Sequence, residues 1–178
     1  MTPSTIDLII LGTLLGKPMS AYDLANHIEE NRVNLFLKIS TPAVYKNCKR
    51  LHESGLLDGK IIKKGEHPEK TIYEINQQGV DWFNALMNYF SSNLTTYFLD
   101  MNAFIYNLEK TDKQSGIKML LNLRDALGFL KAWIIQHEKM DLKNANFAAK
   151  TIVKQYRMTI SALVIWAEET VEEYKQFS

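Results

Sequence analysis

Residues 40–57 read S-T-P-A-V-Y-K-N-C-K-R-L-H-E-S-G-L-L, and residues 58–79 continue D-G-K-I-I-K-K-G-E-H-P-E-K-T-I-Y-E-I-N-Q-Q-G. Ser40 or Thr41 can cap a helix, Pro42 suits its first turn, and Gly55 ends it. On a wheel at about 100° per residue, Val44, Cys48 and Leu51 fall together. Lys46, Lys49 and Arg50 fall opposite them, with Tyr45 and Asn47 at the flanks. Two runs rich in β-formers, 57–64 and 71–75, then flank a polar turn at 65–69, which predicts a hairpin. A basic amphipathic helix followed by a cationic ribbon is the order of a winged helix-turn-helix. Such an arrangement predicts a surface for duplex DNA.

Charge distribution points the same way. The 178-residue chain has a net charge of only +1. Between Lys38 and Lys70, however, eight basic residues (Lys38, Lys46, Lys49, Arg50, Lys60, Lys63, Lys64, Lys70) face four acidic ones (Glu53, Asp58, Glu66, Glu69). A local excess on a nearly neutral chain is the footprint of a phosphate-binding surface. Lys63, Lys64, His67 and Lys70 cluster at the ribbon tip, while Lys38 and Thr41 stand at the entrance to the helix. Glu53 shares the basic face but lies in the last turn, away from the N-terminal half that reads bases.

Upstream, Pro3 is placed to open a helix carrying Ile6, Leu8, Ile9, Leu11 and Leu14, stopped by Gly16 and Pro18. Ser20, with Asp23 three residues on, forms a capping box for a second helix with Leu24 and Ile28 inside. Downstream, Asn76 caps a helix whose apolar side is Val80, Phe83, Leu86, Met87 and Phe90, with Trp82 expected to pack between modules. All four prolines lie within the first 68 residues. The chain therefore divides into a punctuated module, 1–90, and a long-helical module, 91–178.

In the second module Leu120, Leu123, Leu127, Leu130 and Ile134 recur at spacings of three and four, with His137 in the next slot. A second long helix carries Ala149, Ile152, Tyr156, Ile160, Leu163, Ala167 and Val171. The connector 140–146, with Asp141 and Asn144 as candidate caps, is short enough to make the two helices antiparallel neighbours. Trp133, Phe147, Tyr156, Trp166 and Tyr174 give the pair more apolar surface than it can cover alone. That surplus predicts a homodimer held by Leu120, Leu123, Leu127, Leu130, Ile134, Tyr156, Ile160, Leu163 and Trp166. The fold class expected is mainly α with a small β-hairpin wing: an N-terminal winged helix-turn-helix plus a C-terminal antiparallel long-helix dimerisation domain.

Catalytic motifs are missing from the sequence: it has no Gly-rich phosphate loop, metal-binding Cys pair or nucleophile elbow. Cys48 and His52 stand at a spacing that can bind metal, but Cys48 lies on the inward face, where a lone cysteine behaves as a small hydrophobe. No enzyme, cofactor or metal is therefore expected. His27, His67 and His137 read as scattered surface residues. A single cysteine and the absence of an apolar run of about 18 residues point to a reducing cytoplasm and no membrane span. Tyr97, Phe104, Trp133 and Trp166 could line a cavity for a small aromatic effector, with Arg124, Lys131 or Arg157 as counter-charge; plain packing is the alternative.

The first ninety residues resemble the PadR family of bacterial transcriptional regulators. The matching elements are Ile10-Leu11-Gly12-Thr13-Leu14, Ser20-Ala21-Tyr22-Asp23-Leu24, Ser40 with Val44-Tyr45, Lys49-Arg50-Leu51 with Gly55-Leu56, Pro68-Glu69-Lys70-Thr71-Ile72-Tyr73, and Gln77-Gln78-Gly79. The resemblance implies DNA contact at Tyr22, Ser40, Tyr45, Lys49 and Lys70; the wheel adds Lys46 and Arg50, with Asn47 as a base-edge candidate. Pro42, Lys46 and Glu69 depart from the family pattern, so the operator sequence does not carry over. The second half is similar to the long helical domain of the larger PadR subgroup, which includes phenolic-acid-responsive repressors and a virulence-gene activator. Tyr97-Phe98-Leu99 with Phe104 and the ending A-L-V-I-W-A-E-E-T-V-E-E-Y carry that likeness. It implies an antiparallel helical dimer on a palindromic operator. The competing reading is a winged-helix module for protein association, its basic face incidental.

Overall fold

The computed structural model describes residues 1–33, 36–63, 69–94, 99–141 and 145–177. They form two compact units, Met1–Thr96 and Tyr97–Ser178. The expected boundary after residue 90 falls inside a helix that runs to Ser92.

The first unit comprises α1 (Thr5–Leu14), β1 (Met19–Ser20), α2 (Ala21–Glu30), α3 (Thr41–Glu53), β2 (Leu57–Ile62), β3 (Lys70–Ile75) and α4 (Gln77–Ser92). Its antiparallel sheet has the order β1-β3-β2, with Leu57 opposite Ile75, Lys60 opposite Ile72 and Met19 opposite Tyr73. The third strand was not expected, since two residues without alternation leave no periodic signal. Strand β2 stops at Ile62, short of the expected Lys64, and most of the predicted turn at 65–69 lies outside the described residues.

Local chemistry sets the ends of these elements. Helix α1 starts at Thr5 after the N-cap position Ser4, so Pro3 precedes the helix rather than opening it. Ser20 and Asp23 close the capping box: the Ser20 hydroxyl accepts from the Asp23 amide at 3.2 Å, and the Ser20 amide donates to Asp23 Oδ2 at 3.3 Å. At the end of α3, Gly55 has φ +74. The Gly55 amide donates to the His52 carbonyl at 2.9 Å and the Leu56 amide to the Leu51 carbonyl at 3.0 Å. These two bonds make a Schellman termination, which favours glycine at the left-handed position. Asn76 caps α4 by accepting from the Gly79 amide at 3.1 Å.

The core of this unit gathers Ile10, Leu11, Leu14, Leu24, Ile28, Val44, Cys48, Leu51, Leu57 and Leu86, with Trp82, Phe83 and Phe90 packed against it. Met87, expected inside, is exposed, and Trp82 packs within its own unit.

The second unit comprises α5 (Met101–Asn107), a 3-10 turn at Leu108–Lys110, α6 (Lys113–Asp141) and α7 (Phe147–Gln176). Asp141 lies within α6 and Asn144 outside the described residues; the cap of α7 is Asn146, which accepts from the Ala149 amide at 2.9 Å. Leu127, Ile134, Ile160 and Ala167 form one buried cluster, with Leu123, Leu163 and Trp166 packed on it. Leu108, Leu120 and Val171 form another, with Phe104 and Tyr174 on it.

The seam expected to join two chains is thus largely filled within one chain. Spacings of three and four show that a helix has an apolar partner but not which, and the short connector makes α7 the nearest partner of α6. Of the nine residues expected at a dimer contact, Leu130 and Tyr156 remain exposed. Other exposed apolar groups accompany them: Phe129 and Trp133 on α6, and Phe147, Met158 and Ile165 on α7.

Candidate nucleic-acid interface

Helix α3 is held by Val44, Cys48 and Leu51, all buried as the wheel predicts. Burial pushes the Cys48 thiol up to about 12, which makes it an inert core group. The opposite side presents Tyr45, Lys46 and Lys49 to solvent. Lys46 has no ion-pair partner among the described residues, and Lys49 faces Glu53 at 3.7 Å. Ser40 sits at the N-cap position with an exposed hydroxyl that makes no capping bond. Thr41, its neighbour, donates to Glu29 Oε1 at 3.0 Å, which ties the start of α3 to the end of α2.

Two expected contacts are engaged elsewhere. Arg50 does not share the open face with Lys46 and Lys49. Its Nη2 bonds Oδ1 of the fully buried Asp7 on α1. Arg50 also donates to Asn47 Oδ1 from Nε at 3.2 Å and from Nη2 at 3.0 Å. Asn47 in turn donates from Nδ2 to the Ala43 carbonyl at 2.8 Å. The wheel placed Arg50 correctly by angle, but a long side chain swings toward a carboxylate that a wheel of one helix does not show. Asp7 is the residue that reading the sequence missed. The available signal was a lone acid in the otherwise uncharged helix T-I-D-L-I-I-L-G-T-L.

The wing joins α3 through His52, whose Nδ1 lies 2.8 Å from the Leu57 carbonyl and whose ring meets Tyr73 edge-on. Burial raises the Tyr73 phenol above its ordinary value, with Cys48 and Glu53 adding to the effect. At the base of the wing, Lys70 reaches Asp23 Oδ2 at 3.4 Å, beside the first turn of α2. The Ser20 hydroxyl, followed by the Ser20 amide and Lys70, holds the Asp23 carboxyl below its ordinary range. Tyr22, which precedes Asp23 in the chain, is 61% exposed. Lys63 pairs with Glu69 at 3.8 Å; Lys64 and His67 lie outside the described residues. Lys38 is exposed, as is Lys60 on β2, and neither has an ion-pair partner among the described residues.

The first unit therefore carries one open cation on α3, Lys46, beside cations in exposed pairs at Lys49, Lys63 and Lys70. Exposed pairs of this length are worth about 0–1 kcal/mol, so a phosphate can displace their carboxylates at little cost. Of the aromatic side chains expected to line an effector cavity, Phe104 and Trp166 belong to separate clusters, Trp133 lies over His137 with ring centroids 4.0 Å apart, and Tyr97 is outside the described residues. Among the described residues no helix is long and apolar enough to cross a membrane.

The family model for the transcriptional regulator PadR-like family matches residues 10–85. No curated protein matches the chain by sequence. Solved structures match over nearly the full length. Bacillus subtilis PadR in complex with operator DNA has a TM-score of 0.77 at 15% identity, covering 96% of this chain and 99% of that one. The same protein in complex with p-coumaric acid gives 0.75 at 13% identity, covering 98% and 99%. The Vibrio cholerae virulence activator AphA gives 0.68 at 19% identity, covering 98% and 100%. At these identities the structures speak for the fold, and the family model speaks for residues 10–85. Residues 10–85 are thus a domain of the transcriptional regulator PadR-like family, carried in a chain whose fold matches Bacillus subtilis PadR and AphA over nearly its full length.

Proposed function

We propose that the chain is a cytoplasmic, homodimeric repressor that binds a palindromic operator through α3 and the wing and responds to a small aromatic acid. The observation that carries this reading is the face of α3. Buried Val44, Cys48 and Leu51 leave Tyr45, Lys46 and Lys49 exposed on a helix that leads directly into a cationic ribbon. Lys46 and Lys49 bind phosphate or guanine edges, Tyr45 and Ser40 supply positional hydrogen bonds, and Tyr22, Lys63 and Lys70 grip the flanking backbone. Lys38, Thr41, Lys64 and His67 extend the same footprint. The exposed apolar groups around Phe129, Leu130, Trp133 and Met158 are the surface that a second copy covers. The solved complexes of Bacillus subtilis PadR with operator DNA and with p-coumaric acid support the choice of partner and effector class.

Selection of bound duplexes from a random pool tests the reading. The expected outcome is an inverted repeat with half-sites about one helical turn apart. Lys46→Glu combined with Lys49→Glu should abolish its recovery, and p-coumaric acid should release it. Specific binding that survives the charge reversal would place the reading surface elsewhere. A wild-type chain that binds no duplex at low salt would favour protein association as the role of the winged helix.

A further inference from the structure

Arg50 and Asp7 form a polar contact at the edge of the apolar core of the first unit. Asp7 is fully buried, and its Oδ2 has no hydrogen-bond partner among the described residues. Such a carboxylate is costly to hold, and a buried ion pair is poor evidence of stability for its own sake. Its value lies in direction. Val44, Cys48 and Leu51 hold α3 by apolar packing, which is non-directional and tolerates rotation about the helix axis. A charge-assisted hydrogen bond between a guanidinium and a fixed carboxylate does not. Asn47 makes the arrangement stiffer, since it receives both Nε and Nη2 of Arg50 and is itself anchored on the Ala43 carbonyl. Lys46 lies one turn before Arg50 on the same side of α3, so the anchor also sets where Lys46 points.

We propose that Asp7 is a positioning residue for DNA reading: through Arg50 it fixes the rotation of α3 about its axis, and it keeps the Arg50 guanidinium out of the phosphate contacts. The proposal rests on α3 being the reading helix. Arg50 remains 37% exposed at its side chain, so its commitment to Asp7 is a choice of partner rather than a consequence of enclosure.

Binding of the full chain to its selected operator and to an unrelated duplex, measured between 50 and 200 mM salt, distinguishes the roles. Lys46→Gln calibrates the scale. Loss of one phosphate contact makes the slope of log affinity against log salt shallower by about 0.9 per half-site. Arg50→Gln should lower operator affinity tenfold or more while leaving that slope at its wild-type value. Asp7→Asn should narrow the ratio of operator to unrelated-duplex affinity and make the slope steeper, by up to about 0.9 per half-site, as the released Arg50 guanidinium reaches a phosphate. The double variant, in which two neutral amides face each other, should be no worse than the weaker single variant. It also carries the test if Arg50→Gln alone fails to fold with the Asp7 charge stranded. A slope as shallow for Arg50→Gln, or for the double variant, as for Lys46→Gln would make Arg50 a phosphate ligand and overturn the proposal alone. So would a wild-type affinity ratio in both Asp7→Asn and the double variant. If Lys46→Gln moves neither slope nor affinity, α3 is not the reading helix and the proposal falls with that reading.

Discussion

Gly79→Ala is a one-atom test of how the wing, α3 and α4 are joined. A Cβ on Gly79 would lie 2.2 Å from the Leu56 carbonyl oxygen and 2.7 Å from Ile75 Cγ1. A carbon meets a carbonyl oxygen comfortably only at about 3.3 Å or more, so the first turn of α4 must retreat by roughly 1 Å. That turn is fastened by Asn76, which accepts from the Gly79 amide and donates to the Gly55 carbonyl at 3.0 Å and to Asp58 Oδ1 at 3.2 Å. Overpacking of this kind costs about 1–3 kcal/mol. Loss of the cap adds about 1 kcal/mol, and the better helix propensity of alanine returns about 1 kcal/mol. The expected net loss is about 1–3 kcal/mol. Urea unfolding followed by far-UV circular dichroism should show the transition of the first unit moving to lower denaturant at an unchanged slope. Gly128, in α6, supplies the contrast. Among the described residues, nothing beyond its own helix backbone and chain neighbours lies within 4 Å of its added Cβ. Gly128→Ala should therefore stabilise the second unit by up to about 1 kcal/mol. A Gly79→Ala chain at least as stable as the wild type would refute the packing argument.

Three further outcomes follow from individual groups. The Asp23 carboxyl is held below its ordinary value of 3.8, chiefly by the Ser20 hydroxyl. Its stabilisation is therefore complete above about 3.8 and is lost as pH falls through the lower folded value. Asp23→Asn should flatten that part of the acid limb in urea midpoints measured from pH 5 to pH 2, and an unaltered limb would contradict the assignment. Cys48, with its thiol near 12, should resist a thiol reagent at pH 8 in the native chain and react once urea unfolds it; rapid native labelling would show that α3 is not seated as described. Phe129, 77% exposed, and Trp133, 49% exposed, should convert a dimer to a monomer in sedimentation when both become glutamate. Leu127→Ala, by contrast, should cost about 2–5 kcal/mol of stability, because Leu127 is buried within the chain's own helix pair.

The sequence was legible where structure is local. Ser20 with Asp23, Gly55 after α3 and Asn76 before α4 are written in adjacent residues, and each does what its position implies. The inward set Val44, Cys48 and Leu51 was equally readable, since it needs only the helical period. Arg50 was not. Its partner stands 43 residues earlier in the chain, and no property of α3 alone announces it. The second module shows the same limit in another form. Periodicity identified Leu120, Leu123, Leu127 and Ile134 of the apolar stripe of α6, with Leu130 left exposed, but whether α7 or a second chain covers that stripe depends on tertiary geometry. The exposed set at Phe129 and Trp133 could be separated from the buried set only once α7 was in place.

Ser20 links two elements in a way that bears on how the first unit opens. It pairs with Ile72 in the sheet and caps α2, and Asp23 in the same capping box meets Lys70 on β3. Pulling β3 away would therefore break the sheet, the cap and the ion pair in one event. The wing and the first turn of α2 then form a single cooperative opening unit, in which neither frays before the other. Amide hydrogens at Asp23 and Ile72 should exchange with the same opening free energy, although 49 positions in the chain separate them.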